Sequence, residues 1–161
     1  MSTFIGSAEL KKLQARQMEQ FSLWADQGVW SEFHSNHYDW WAFPINQPSS
    51  HGFLYSVTDE AVKRLREDSE FLKSLEESAR LVLLSWGWSL DDFLEIQNPS
   101  ADQKWAHWPI RLYKCYQSLR LFQLDTAADS VLAYARLLKE QGQSFVYSGR
   151  DLYSQMVGDE I

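Results

Sequence analysis

The chain has 161 residues, with 15 basic and 22 acidic side chains and a formal net charge of −7. Apolar residues make up 45% and charged residues 23%, a balance typical of soluble globular domains that argues against disordered, collagen-like and membrane-spanning classes. The acidic balance also disfavours nucleic acid as a partner. We therefore expect one domain over residues 1–161, with neither a membrane nor a nucleic acid as its partner.

Low glycine and proline contents, 7 and 4 residues, predict a few long helices rather than many short strands. Apolar residues at helical spacing indicate a first helix from Ser7 to about Gly28, where a glycine suits the helix end. A shorter helix is predicted from Val29 to about Trp41. The longest loop follows at residues 46–52, where proline and serine interrupt regular structure.

Polar caps predict the next two helices. Thr58 or Asp59 is expected to cap one helix, and Asp68 or Ser69 is expected to cap the next. The second of these carries an apolar stripe at positions i, i+3, i+4 and i+7 and is predicted to end at Gly87.

The second half of the chain begins with Ser89 and two aspartates, which predict a short helix. Pro109 is placed as the first-turn proline of a helix that runs to about Leu124. A further helix is predicted from Asp125 to Gly142, and residues 143–161 are expected to be a short helix or strand with a frayed tail. The fold is therefore predicted to be all-α, a compact orthogonal domain of about six or seven helices with an aromatic-rich core.

The cysteine content bears on the compartment. Cys115 is the one cysteine, so the chain cannot form an internal disulfide of the kind that staples small secreted domains. The chain also does not begin with a basic region and an apolar run, the pattern of a secretory signal. Both observations favour the cytoplasm, and the position of Cys115 within a predicted helix favours a buried, unreactive thiol.

The eight tryptophans are the most unusual feature of the sequence. A tryptophan offers a large apolar face but needs a partner for its indole N–H, so tryptophans either line clefts that bind ligands or fill a core of large residues. Arg111 offers a fork for a carboxylate or phosphate, or else pairs with an internal acid such as Asp91 or Asp92. The candidate ligand-binding residues are Tyr38, Trp40, Trp41, Trp105, His107, Trp108 and Arg111.

The spacing of the histidines bears on whether the chain could hold a metal ion. His34 and His37 are three residues apart, and with Asp39 and either His51 or His107 they would supply enough ligands. The chain has neither a second cysteine nor an HExxH pair, however. We therefore expect no metal and no cofactor, and we expect His37 to bond to Asp39 or to cap a helix end.

Two segments carry a resemblance to a known family. Residues 38–44 read Tyr-x-x-Trp-x-Phe-Pro, and a second element runs from Trp105 through His107 and Arg111 to Ser-Leu-x-x-Phe-x-Leu at 118–124. Together they resemble the opioid growth factor receptor N-terminal domain family, over roughly residues 23–139. The resemblance implies an all-helical domain and, for single-domain relatives of the bacterial type, no assigned activity.

Three functions follow from these patterns. The favoured one is a non-catalytic module that binds a protein or peptide through a Trp-rich surface, with His107 and Arg111 as polar anchors. The alternative is a small enzyme or small-molecule-binding protein for a phosphorylated or nucleoside-like ligand, in which Arg111 holds the anion and His37, Asp39 or His107 transfers a proton. A structural role as a homodimer is the third.

Overall fold

The fold is that of a computed structural model, which describes residues 3–158. Within that range the chain forms eight helices and two short antiparallel hairpins. The helices are α1 (Ser7–Gln27), α2 (Trp30–Ser35), α3 (Asp39–Ala42), α4 (Asp59–Arg66), α5 (Ser69–Ser85), α6 (Pro109–Leu121), α7 (Asp125–Glu140) and α8 (Leu152–Gly158). The strands β1 (Trp88–Ser89) and β2 (Leu94–Glu95) form one hairpin, and β3 (Val146–Tyr147) and β4 (Arg150–Asp151) form the other.

The all-α prediction is confirmed, and so are the local signals that delimit the long helices. Gly28 ends α1 in the left-handed conformation, with φ of 66°. The Thr58 hydroxyl accepts a hydrogen bond from the Ala61 amide at 3.1 Å and caps α4. Pro109 stands in the first turn of α6 as predicted.

The single helix predicted from Val29 to Trp41 is wrong, because the chain breaks between α2 and α3. Asn36 is extended, with ψ of 152°, and its side-chain amide donates to the Glu32 carbonyl at 2.8 Å. An asparagine that bonds the backbone of the preceding turn competes with helix continuation. This break and the C-terminal α8 add two helices to those predicted up to Gly142, and the helix predicted at Ser89 is absent, which gives eight helices in the described residues.

The short helix predicted at Ser89 is also wrong, since this segment is the turn of the β1–β2 hairpin. The Ser89 hydroxyl does accept from the Asp92 amide, at 3.3 Å, as a helix cap would. The next residue, Phe93, is left-handed with φ of 57°, which ends the turn and lets Trp88 pair with Glu95. At the C-terminus the structure has a hairpin followed by α8, and the frayed tail predicted beyond it falls on residues 159–161, outside the described residues.

Two helix pairs organise the core, with α1 packed along α5 and α6 packed along α7. An aromatic cluster fills the space between α1, α2 and α3, and each of its rings lies within 6 Å of another. Burying each such side chain contributes about 1.5–3 kcal/mol to stability. The rings of the cluster are Phe21, Trp24, Trp30, Phe33 and Tyr38.

Helix α6 is buried along most of its length. Cys115 lies at its centre with no exposed surface, and burial raises the pKa of its thiol, as expected for an unreactive cysteine. None of the helices in residues 3–158 has both the length and the apolar character needed to span a membrane.

Asp68 links the start of α5 to α1. Its carboxylate accepts a hydrogen bond from the Phe71 amide at 3.1 Å and lies 2.9 Å from the Lys11 ammonium. The hydrogen bond from Lys11 holds the pKa of Asp68 below its usual value. We expect Asp68→Ala to lower the free energy of unfolding by about 1 kcal/mol, and Asp68→Asn by less because asparagine also caps helices. Urea denaturation followed by tryptophan fluorescence measures both.

Because the pKa of Asp68 is lowered in the folded state, the contribution of Asp68 to stability depends on pH. A carboxyl with a lower pKa in the folded state stabilises at neutral pH, and this stabilisation is lost as the pH falls below about 4. The difference in the free energy of unfolding between the wild type and Asp68→Asn should therefore become smaller at acidic pH. A gap that is the same at neutral and acidic pH would contradict this account.

Candidate functional site

Arg111 stands at the centre of the predicted site but has only 1% of its surface exposed. One terminal nitrogen of its guanidinium donates to the Phe33 carbonyl at 2.8 Å, and the other donates to the Asn36 carbonyl. The guanidinium carbon lies 4.6 Å from the ring centre of Tyr38 and 4.4 Å from that of Trp108. Arg111 therefore holds the break between α2 and α3 in place, with its faces covered by aromatic rings.

Tyr38 shares this structural role. It is 1% exposed, and its hydroxyl donates to the Phe33 carbonyl at 2.9 Å. Burial raises the pKa of the hydroxyl well above its usual value. Neither Tyr38 nor Arg111 presents a surface to a ligand.

A buried group of charges lies beside Arg111. Asp39 is 5% exposed, and one of its oxygens lies 3.1 Å from the Lys114 ammonium while the other lies 3.8 Å from Nε of Arg111. Asp39 thus bonds to Lys114 rather than to His37. A charge group this well buried is stable only while each member keeps its partner.

The internal acid predicted for Arg111 was Asp91 or Asp92, and that prediction is wrong. Asp91 is exposed on the β1–β2 turn and pairs with Arg80 through two hydrogen bonds of 2.9 Å. The acid that faces Arg111 is Asp39, on α3.

Six rings form a continuous row across α3, the following loop and the start of α6, which we call the aromatic strip. Successive ring centres along it lie between 4.6 and 6.3 Å apart. The two histidines are exposed and the other four rings are half-buried. The aromatic strip consists of Trp108, His37, Trp40, His51, Tyr55 and Trp41.

Two indole groups of the aromatic strip are held in place by hydrogen bonds to the protein beneath them. The N–H of Trp41 donates to the Gln17 side chain at 2.9 Å, and the N–H of Trp108 donates to the His34 carbonyl at 3.1 Å. A tryptophan whose N–H is already bonded keeps its position when its face is covered or uncovered. The aromatic strip is therefore a preformed surface.

A cavity of about 370 Å³ opens beside Trp40. Its wall includes the Asp39–Lys114 pair, Gln47 from the loop and Arg150 from β4. The Lys114 ammonium also lies 5.4 Å from the ring centre of Trp40, so the cavity and the aromatic strip are continuous. We refer to it as the Lys114 cavity.

Trp105 and His107 belong to a separate aromatic cluster. The ring of Trp105 lies 5.0 Å from that of Trp86, 6.1 Å from that of Tyr134 and 6.4 Å from that of His107. All four residues line a cavity of about 280 Å³. The seven predicted residues therefore divide: Trp40, Trp41 and Trp108 lie in the aromatic strip, Tyr38 and Arg111 lie beneath it, and Trp105 and His107 lie elsewhere.

The histidines do not gather around a common point. His34 bonds through Nε2 to the Asp102 carbonyl at 2.7 Å, whereas His107 lies in the Trp86 cluster. Across residues 3–158 no three side chains of histidine, cysteine, aspartate or glutamate are placed to hold a metal ion.

Sequence reasoning missed two residues of this site. Lys114 stands three positions after Arg111, so the helical repeat places both cations on one face of α6, a signal that was present but not used. Tyr55 follows an irregular loop and gave no local signal. His51 is among the possible metal ligands in the sequence, and the structure places its ring against that of Trp40, with the ring centres 4.6 Å apart.

Comparison of the chain with protein-family models, with curated proteins and with solved structures found no match. The resemblance to the opioid growth factor receptor N-terminal domain family therefore remains a prediction based on residues 38–44 and 105–124. Any function has to be argued from the geometry of the site.

Proposed function

We propose that this protein is a non-catalytic binding module of the cytoplasm that engages a protein or peptide partner through the aromatic strip. The observation that carries the proposal is the unbroken row of six rings, each half-buried or exposed. Large aromatic side chains at the surface are the residues that most often dominate the affinity of protein interfaces.

The anchoring of the aromatic strip supports this function. Trp41 and Trp108 are held by hydrogen bonds to Gln17 and to the His34 backbone, so these rings lose little conformational freedom when a partner covers them. A preorganised surface of this kind retains more of its contact energy as affinity.

The Lys114 cavity supplies the polar part of the proposed interface. Two cations, Lys114 and Arg150, and one carboxylate, Asp39, line this cavity, so its formal charge is positive although the whole chain is acidic. An acidic side chain or a C-terminal carboxylate of the partner fits this balance. Trp40 would then pack against the apolar part of the same residue.

The alternative of an enzyme or small-molecule-binding protein for a phosphorylated or nucleoside-like ligand has less support. It required Arg111 to hold the anion, whereas the guanidinium is enclosed by Phe33, Tyr38 and Trp108. Of the three side chains offered for proton transfer, Asp39 is committed to Lys114 and His107 lies in the other cluster. The positions of these residues favour a binding module over an enzyme.

Selection from a displayed library of random peptides tests the proposal, with Trp40→Ala as the variant. Peptides retained by the wild type should lose at least about tenfold in affinity for Trp40→Ala, since removing a central interface tryptophan costs about 2 kcal/mol or more. Binding should also change the tryptophan fluorescence of the wild type.

The matched control is Leu94→Ala, which removes a side chain that is 63% exposed on β2, outside the aromatic strip. It should leave the affinity unchanged, and circular dichroism should show that both variants fold. Equal peptide affinities for Trp40→Ala and the wild type would refute the proposed surface. A concentration-dependent dimer that Trp40→Ala abolishes would instead make a second copy of the chain the partner.

A further inference from the structure

A cavity with a volume of about 570 Å³ lies away from the aromatic strip, between α1 and α5. Its apolar wall includes Ala15 and Met18 from α1 and Phe71 from α5. This volume lies within the range of sites that bind small molecules. We refer to it as the α1–α5 groove.

An unpaired amide lines this groove. Gln14 has no exposed surface, and among residues 3–158 no hydrogen-bond partner lies within reach of either its side-chain oxygen or its side-chain nitrogen. Ser74, across the groove on α5, also has a buried hydroxyl without a partner. Buried polar atoms in folded proteins nearly always have partners, so two such side chains in one groove call for an explanation.

Two of the cations at the rim of the groove already have carboxylate partners in the protein. The Lys11 ammonium lies 2.9 Å from Asp68 and 3.5 Å from Glu70. Arg80 pairs with Asp91 at 2.9 Å and with Glu77 at 2.5 Å. A third cation, Lys73, also lines the groove, but four glutamates line it as well, so the formal charge of the lining is negative. An anionic ligand is therefore disfavoured, and an uncharged ligand matches the unpaired amide and the apolar wall.

We propose that the α1–α5 groove binds an uncharged small molecule that carries an adjacent N–H and C=O on one edge, as in a lactam, an imide or a primary carboxamide. Such an edge pairs with the carboxamide of Gln14 through two hydrogen bonds, because each group donates once and accepts once. The apolar part of the ligand packs on Ala15, Met18 and Phe71. This site is independent of the proposed partner surface.

The path to Gln14 runs along its own helix. Met18 and Lys11 stand at i+4 and i−3 from Gln14 and line the same groove, so they flank the carboxamide on one face of α1. The Met18 sulfur accepts a hydrogen bond from the Ser22 hydroxyl at 3.6 Å. Because methionine is the most adaptable apolar side chain, rotation of Met18 is the movement by which we expect a ligand to reach the Gln14 amide.

A pair of ligands that differ at one atom tests the proposal by protein-observed NMR. A benzo-fused lactam, dihydroquinolinone, should shift the side-chain NH₂ signal of Gln14 in a saturable manner. Its N-methyl derivative keeps the ring and the carbonyl but lacks the donor, and it should bind at least about tenfold more weakly. Equal binding of the two compounds would overturn the proposal.

The variant Gln14→Met separates a ligand site from a structural glutamine. Methionine is close to glutamine in size and removes the unpaired polar atoms, so the melting temperature should rise while the lactam affinity is lost. Gln17→Met is the matched control on the same helix, because the Gln17 carboxamide is bonded to Trp41 and Gln20. This variant should melt at a lower temperature and bind the lactam as the wild type does.

Two results with these variants would refute the inference. A melting temperature that falls in Gln14→Met as it does in Gln17→Met would show that the Gln14 amide is structural. Retention of lactam binding by Gln14→Met would place the ligand elsewhere. Trp40→Ala should leave lactam binding intact, so failure at the α1–α5 groove is distinguishable from failure at the aromatic strip.

Discussion

Replacing Arg111 with methionine should lower the free energy of unfolding by about 3–5 kcal/mol, the cost of removing one partner from a buried charge pair. The substitution removes the Arg111 donor to the Asn36 carbonyl and one of the two donors to the Phe33 carbonyl, which keeps its bond from the Tyr38 hydroxyl. It also leaves the Asp39 carboxylate with Lys114 as its one neighbouring cation. It also removes the cation that lies between the rings of Tyr38 and Trp108. Urea denaturation followed by fluorescence gives the loss directly.

Two further variants identify the cause of that loss. Arg111→Lys keeps the charge but lacks the planar fork that reaches two carbonyls at once, so it should recover only part of the stability. Arg64→Met is the control, because Arg64 is exposed and pairs with Glu60 one turn away at 2.9 Å. Its cost should stay below about 1 kcal/mol. An equal cost for Arg64→Met and Arg111→Met would contradict the buried role of Arg111.

The second large effect is expected at Asp39. Asp39→Asn leaves the buried cations Lys114 and Arg111 facing a neutral amide, and it should also cost about 3–5 kcal/mol. Lys114→Met alone should cost less, because the Asp39 carboxylate still faces Arg111. The double variant removes one charge of each sign, so its cost should be smaller than the sum of the two single costs.

A double-mutant cycle measures the coupling between Asp39 and Lys114. Residues in direct contact commonly show coupling of about 0.5–3 kcal/mol, whereas independent sites add to within about 0.5 kcal/mol. Urea denaturation of the wild type, both single variants and the double variant supplies the four values. Additive costs would mean that the ion pair at 3.1 Å contributes nothing of its own.

Helix ends proved predictable because their signals are local. The cap at Thr58, the cap at Asp68 and the left-handed Gly28 each depend on hydrogen bonds within a few residues. Ser89 shows the limit of such signals, since its hydroxyl bonds the Asp92 amide in a hairpin turn much as it would at the start of a helix. The left-handed Phe93 and the pairing of Trp88 with Glu95 distinguish the two outcomes, and the residue types in the turn predict neither.

The candidate site was predictable in its residue types but not in its partners. Trp40, Trp41 and Trp108 do come together in the aromatic strip, as their unusual number suggested. The sequence interpretation puts Arg111 and Asp39 in one polar site, and the structure brings them to 3.8 Å, but as buried partners of each other rather than as groups that face a ligand. The carbonyl that Arg111 binds at Asn36 lies 75 residues away in the sequence, so no local pattern predicts that bond. The sequence does not predict that the Gln14 side-chain amide lacks a hydrogen-bond partner, because this depends on how all the neighbouring helices pack around it.

The position of Cys115 gives the molecule a built-in chemical reporter. The thiol is alone in the sequence and has no exposed surface at the centre of α6. A reagent that reacts with thiols can reach it only when the surrounding helices separate. The rate of labelling therefore follows the opening of the core itself, under native conditions and without any engineered probe.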